Sequence, residues 1–116
     1  MPRNDLRAMT FAKVYPLYLQ KVERKGRTKA ELDEIIGWLT GYDASALTSH
    51  IQRQTSFETF FDEAPAIPAA ASKVTGTICG VRVEDIEDPV VRNVRRLDKL
   101  VDELARGRAM EKIKRS

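Results

Sequence analysis

The chain has 116 residues, 42% hydrophobic and 32% charged, with one cysteine and a formal net charge of +3. That length gives one soluble globular domain, able to bury roughly two-thirds of its unfolded surface without staples. An intramolecular disulfide is excluded, and no stretch is apolar for long enough to be a signal peptide or a membrane span, so a cytoplasmic setting is expected.

The charge is unevenly spread. Residues 1–30 sum to +6, residues 31–70 to −6 and residues 71–116 to +3. Basic ends around an acidic middle either steer a polyanion to one face or compensate within the fold, and compensation is the simpler reading.

Residues 1–9 read as a flexible N-terminus, followed by a single helical domain over 10–116. Phe11, Val14, Tyr15, Tyr18 and Val22 recur at helical spacing. Pro16 interrupts them, which predicts a helix from about residue 15 or one kinked helix, closed by "ERKGR". The capping-box pattern "TKAE" then opens a second helix with Leu32, Ile35, Ile36 and Leu39 on one face, Trp38 beside it and Gly41 as its stop. Asp43 caps a third, in which Ala44, Leu47 and Ile51 share a stripe. "TSFE" repeats the box from Thr55 to Glu58 and opens a short aromatic helix with Phe57, Phe60 and Phe61.

Residues 74–84 hold the one β-like stretch, "VTGTICGVRV" at its heart. Its glycines limit it to an extended loop or a short hairpin. Asp88-Pro89 is a helix start, with Asp as N-cap and Pro in the first turn. Val90, Val94, Leu97, Val101 and Leu104 follow at spacings of 4, 3, 4 and 3, and "RAMEKIKR" adds Met110 and Ile113. There is no repeat and no low-complexity tract. The fold class is all-α: a compact orthogonal bundle of five or six helices, with the extended or β-like segment near 74–84.

The stretches "YPLYLQKVERKGRTKAELDEIIGWLTGYD", "FETFF", "CGVRVEDIEDP" and "LDKLVDELARGRAMEKIKR" together resemble a family of small bacterial proteins, domain of unknown function 2200. The resemblance runs from about Met9 to Arg115 and is specific in order and spacing. It implies a mainly helical orthogonal bundle. It carries no established activity, substrate or cofactor, so it transfers no catalytic residues.

The residues themselves offer a few places for chemistry. Cys79 lies between Gly76 and Gly80, with Arg82 and Glu84 close behind. A nucleophilic thiol needs a cation, a histidine or a helix N-terminus to lower its pKa. His50, with Asp43 or Glu84 as orienter, would have to fold against it, and a packed, inert thiol is the plainer account. "RKGRT" sets Arg27, Thr28 and Lys29 at a helix start, where backbone N–H groups can hold an anion. No metal site is expected: one histidine and one cysteine are too few for zinc, and Glu84, Asp85, Glu87 and Asp88 lack the spacing of a calcium loop. No cofactor is implied.

A helix-turn-helix-like hairpin over 28–53 would put Ser45, Thr48, Ser49, His50, Gln52 and Arg53 on a reading helix, but in the acidic third of the chain. The last long helix reads as an exposed face laced by Arg95–Asp98 and Lys99–Glu103 pairs. Val91 and Leu100 lie off its main stripe and would serve a homodimer or a protein partner. The leading reading is a non-enzymatic binding module. The alternatives are a small enzyme or ligand-binding protein built on the Cys79–Asp88 loop, and nucleic-acid binding through the hairpin.

Overall fold

Thr10 marks the entry to the fold. In this computed structural model, which describes residues 6–78 and 80–114, its hydroxyl accepts the Lys13 N–H at 3.2 Å and caps α1, Phe11–Arg24. The helix continues through Pro16 as one element, the second of the two expected forms, and does not begin at about residue 15. An interior proline costs about 3 kcal/mol, and burial of Phe11, Tyr15, Tyr18 and Val22 offsets it. At the far end Gly26, at φ +84°, and Arg27 return hydrogen bonds to Glu23 and Val22, which closes the helix as a Schellman turn.

Helix α2, Lys29–Thr40, carries the full capping box between Thr28 and Glu31. Leu32, Ile35, Ile36 and Leu39 are all fully buried, as their spacing predicts. Gly41 ends the helix in the left-handed region. Helix α3, Ala44–Arg53, is capped by Asp43. Its inward residues are Leu47 and His50; Ala44 is exposed and Ile51 half-buried, so the stripe is rotated from the expected one.

Helix α4, Phe57–Asp62, is capped by Ser56 and not by Thr55. Thr55 is buried and bonds to His50, which leaves the cap to its neighbour. Residues 6–9 pack beside this helix: Met9 and Arg7 carbonyls accept the Phe57 and Glu58 N–H groups, and Thr10 bridges to Ser56.

After two short 3-10 turns and the connector between them, Asp88 caps α5, Pro89–Ala105, with Pro89 in its first turn. The β-like stretch is a two-stranded antiparallel hairpin, β1 Thr77–Ile78 with β2 Val81–Arg82, in which Thr77 faces Arg82 and Ile78 faces Val81. Helix α6, Met110–Lys114, sends Ile113 into the core.

Among the described residues the product is a mostly helical bundle of six helices with one short hairpin. Helix α5 is its centre and packs on α1, α2, α4, α6 and the hairpin connector. Leu97, Leu100 and Leu104 are fully buried, each contributing about 1.5–3 kcal/mol. Leu100, set aside by its position for a partner, is thus used inside the fold, because α5 is covered on more than one side. Within the same core an aromatic group joins α1, α3 and α4: Phe11 stacks on Phe60 at 4.3 Å, and Tyr42 and His50 close around Phe60. Among the described residues no helix is long and apolar enough to cross a membrane.

Candidate anion-binding site

Cys79 lies outside the described residues. Its two companions are described. Arg82 is exposed, and its Nε is 3.8 Å from the Glu84 carboxylate. Glu84 reaches back to accept the Gly76 N–H at 2.9 Å, which ties the base of the hairpin and holds its carboxyl below the ordinary carboxylate range. His50 is elsewhere, buried among Tyr42, Phe60 and Thr55.

The helix start at residues 27–29 is already occupied by a side chain of the protein. The Glu31 carboxylate accepts the Thr28 N–H at 2.9 Å and pairs with Arg27 at 2.9 Å. Arg27 also donates to the Arg108 carbonyl, and Lys29 pairs with Asp33 at 2.7 Å. An external anion would have to displace Glu31. On α3, Ser45, Thr48, Ser49 and Gln52 are exposed, but His50 is buried and Arg53 bonds to His50 and Glu63. Among the described residues no group of His, Cys, Asp and Glu is placed to hold a metal ion.

The arrangement that spacing alone did not single out lies on α5. Arg92, Arg96 and Lys99 fall at i, i+4 and i+7, one stripe of the helix. Arg92 donates from Nε to the Ile86 carbonyl at 2.8 Å and from Nη2 to the Glu87 carbonyl at 3.2 Å. Lys99 donates to the Thr77 carbonyl at 3.2 Å. These two cations pin the two ends of the connector to α5, and Arg96 stands between them.

Arg96 spends one nitrogen, Nη1, on the Asn93 side-chain carbonyl at 3.0 Å. Its Nε is buried with no hydrogen-bond partner, the one such side-chain atom among the described residues. Burial and the neighbouring Arg92 both push this guanidinium below the usual arginine value. Among the described residues no carboxylate forms an ion pair with Arg92, Arg96 or Lys99. The Arg95–Asp98 pair forms at 3.0 Å as expected, but Lys99–Glu103 does not: Lys99 turns to the hairpin and the buried Glu103 pairs with Arg108 at 3.3 Å. A positive, partly desolvated and incompletely bonded guanidinium is an acceptor site for an anion. The signal was present in the sequence: no acid stands three or four residues to either side of Arg96.

The family model for uncharacterised proteins conserved in bacteria, DUF2200, matches residues 5–115. The chain belongs to the DUF2200 family. Among solved structures, this DUF2200 chain is similar to one titled "Crystal structure of uncharacterized protein SP1917". The two are 42% identical and superpose with a TM-score of 0.86, over 93% of this chain and 88% of that one. No curated protein matches the chain.

Proposed function

We propose that this protein is a non-enzymatic binding module of the bacterial cytoplasm that takes an anionic partner on the face of α5 beside the hairpin connector. The observation that carries the reading is Arg96, whose buried Nε lacks a partner and whose charge, like that of Arg92, has no carboxylate against it among the described residues. A fold selected only for stability avoids such a group, since leaving a charged donor unsatisfied costs about 1–3 kcal/mol or more. The single cysteine supports the reducing compartment.

The test is a titration of the isotope-labelled full chain with inorganic phosphate at low salt, followed by amide chemical shifts. The expected result is saturable shifts confined to residues 86–97, lost in Arg96→Gln. Shifts spread evenly over the basic surface, or unchanged in the variant, would remove this site from consideration.

A further inference from the structure

We propose that the connector after α4 is a docking segment for a protein that carries a groove lined with aromatic side chains, independently of the α5 face. From Ala64 to Ser72, "APAIPAAAS", nine residues run without a charge in a chain that is 32% charged. Pro65, Ala66 and Ile67 are exposed in succession, and Ala69 follows them. Ile67 is 38% exposed, one of three large hydrophobic side chains so placed among the described residues. A consecutive exposed apolar run is avoided on a surface that serves solubility alone.

The run is exposed but held. The Ala66 N–H donates to the Thr40 carbonyl at 3.1 Å. Ala66 also seats directly on Gly41, where a Cβ would stand 2.8 Å from the Ala66 nitrogen. At the other end the Pro68 carbonyl accepts the Ala71 N–H at 2.9 Å. The chain bends at Pro65 and then extends through Ala66, Ile67 and Pro68. Pro68 has φ −70° and ψ 151°, the polyproline II basin. Ile67 precedes a proline, which holds it to extended conformations.

This backbone decides the kind of partner. Pro65 and Pro68 have no N–H, and that of Ala66 is spent on Thr40, so Ile67 alone of the four has one left to give. An added strand pairs through every second residue. In that register the neighbours of Ile67 are Pro65, which has no donor, and Ala69, already in the 3-10 turn. Strand pairing is thereby excluded. What the segment offers is two pyrrolidine rings, the Ile67 side chain, and the Ala66 and Ile67 carbonyls, which accept no hydrogen bond among the described residues. Aromatic rings pack on the apolar groups, and an indole N–H or phenol O–H donates to the carbonyls. Thr40 and Gly41 already hold the segment, so docking costs little further ordering.

The test places the photo-crosslinking residue benzoylphenylalanine at Ala69 of the full chain and irradiates the native cells. Mass spectrometry maps the adduct, and the captured protein is purified for calorimetry. The expected attachment lies in a groove lined with Trp, Tyr or Phe. Ile67→Asp and Pro68→Ala should each weaken binding at least tenfold, and a free capped APAIPAA peptide should compete. Circular dichroism checks both folds; if Pro68→Ala is unfolded, Ile67→Asp, at an exposed side chain, decides alone. Four results would each overturn the proposal: attachment to a second copy of this chain, attachment outside an aromatic groove, no adduct beyond that formed with the same group at the exposed Gln20 of α1, or binding indifferent to Ile67→Asp.

Discussion

The Arg7 guanidinium donates to the Asp88 carboxylate at 2.7 Å, joining residues 81 positions apart, and its other arm takes Glu58 at 2.6 Å. Asp88 also receives the Val90 and Val91 N–H groups as the cap of α5. One carboxylate thus fixes the start of the central helix and the entry of the chain.

The two roles separate by substitution. Asp88→Asn keeps a good cap and loses the charge, whereas Asp88→Ala loses both. Melting temperatures should fall in the order wild type, Asn, Ala, and added salt should shrink the first gap more than the second. The Arg7 hydrogen bond, first among the causes, holds the Asp88 carboxyl below its ordinary value. Its folded pKa is depressed, so this stabilisation is full above the unfolded carboxylate pKa and is lost as pH falls through the lower folded one. Thermal melts of wild type and Asp88→Asn should therefore converge in acid, below about pH 4.

His50 responds to pH in a different window. Arg53 can only donate, so its 3.0 Å contact makes His50 Nδ1 an acceptor, and the Thr55 hydroxyl lies 3.0 Å from the same nitrogen. The ring is then neutral, with its proton on Nε2. Burial, and then Arg53, lowers its pKa. The unfolded chain therefore binds this proton more readily than the folded one. Stability is full above about pH 6.5 and declines as pH falls below it, until the folded pKa is passed. Urea unfolding at pH 8, 6 and 5 should show the decline, and His50→Gln, though less stable at pH 8, should show a flatter profile over that interval.

Among the described residues Gly37 is the only glycine inside a helix, and propensity alone predicts that alanine there would gain about 1 kcal/mol. A Cβ at this position would sit 2.9 Å from the Tyr42 carbonyl oxygen, a backbone atom that cannot swing aside. Gly37→Ala should instead destabilise the protein, by about 1–3 kcal/mol as overpacking does, read as a lower urea midpoint with an unchanged slope.

What was legible in the sequence followed from how local each feature is. The α2 stripe, its capping box and the Asp88-Pro89 start depend on residues within one or two turns, and they appear as written. Pro16 left two readings open, and the single helix through it prevails because the cost of the proline is local while the burial that outweighs it, Phe11 against Phe60, is not. Thr55 misled as a cap because its hydroxyl is drawn to His50, five residues earlier in the chain. On α5 the sequence showed the cations but paired Lys99 with Glu103 by spacing alone. The hairpin connector that takes Lys99 and Arg92 is brought there by tertiary packing, and only with it in place does Arg96 stand out.

Arg96 also predicts a stability effect opposite in sign to that of most buried substitutions. Methionine at this position keeps the aliphatic length and removes the desolvated charge and the unpaired Nε. The bond to Asn93 is lost, but one ordinary hydrogen bond contributes about 1 kcal/mol, whereas a charged donor left unsatisfied in the interior costs about that much or more. Arg96→Met should thus leave the free protein as stable as wild type or more so, while abolishing phosphate binding. Melting curves with and without added phosphate check both halves. A loss of several degrees in the free variant would mean that Arg96 is held in place by the fold itself, and the anion site would lose its foundation.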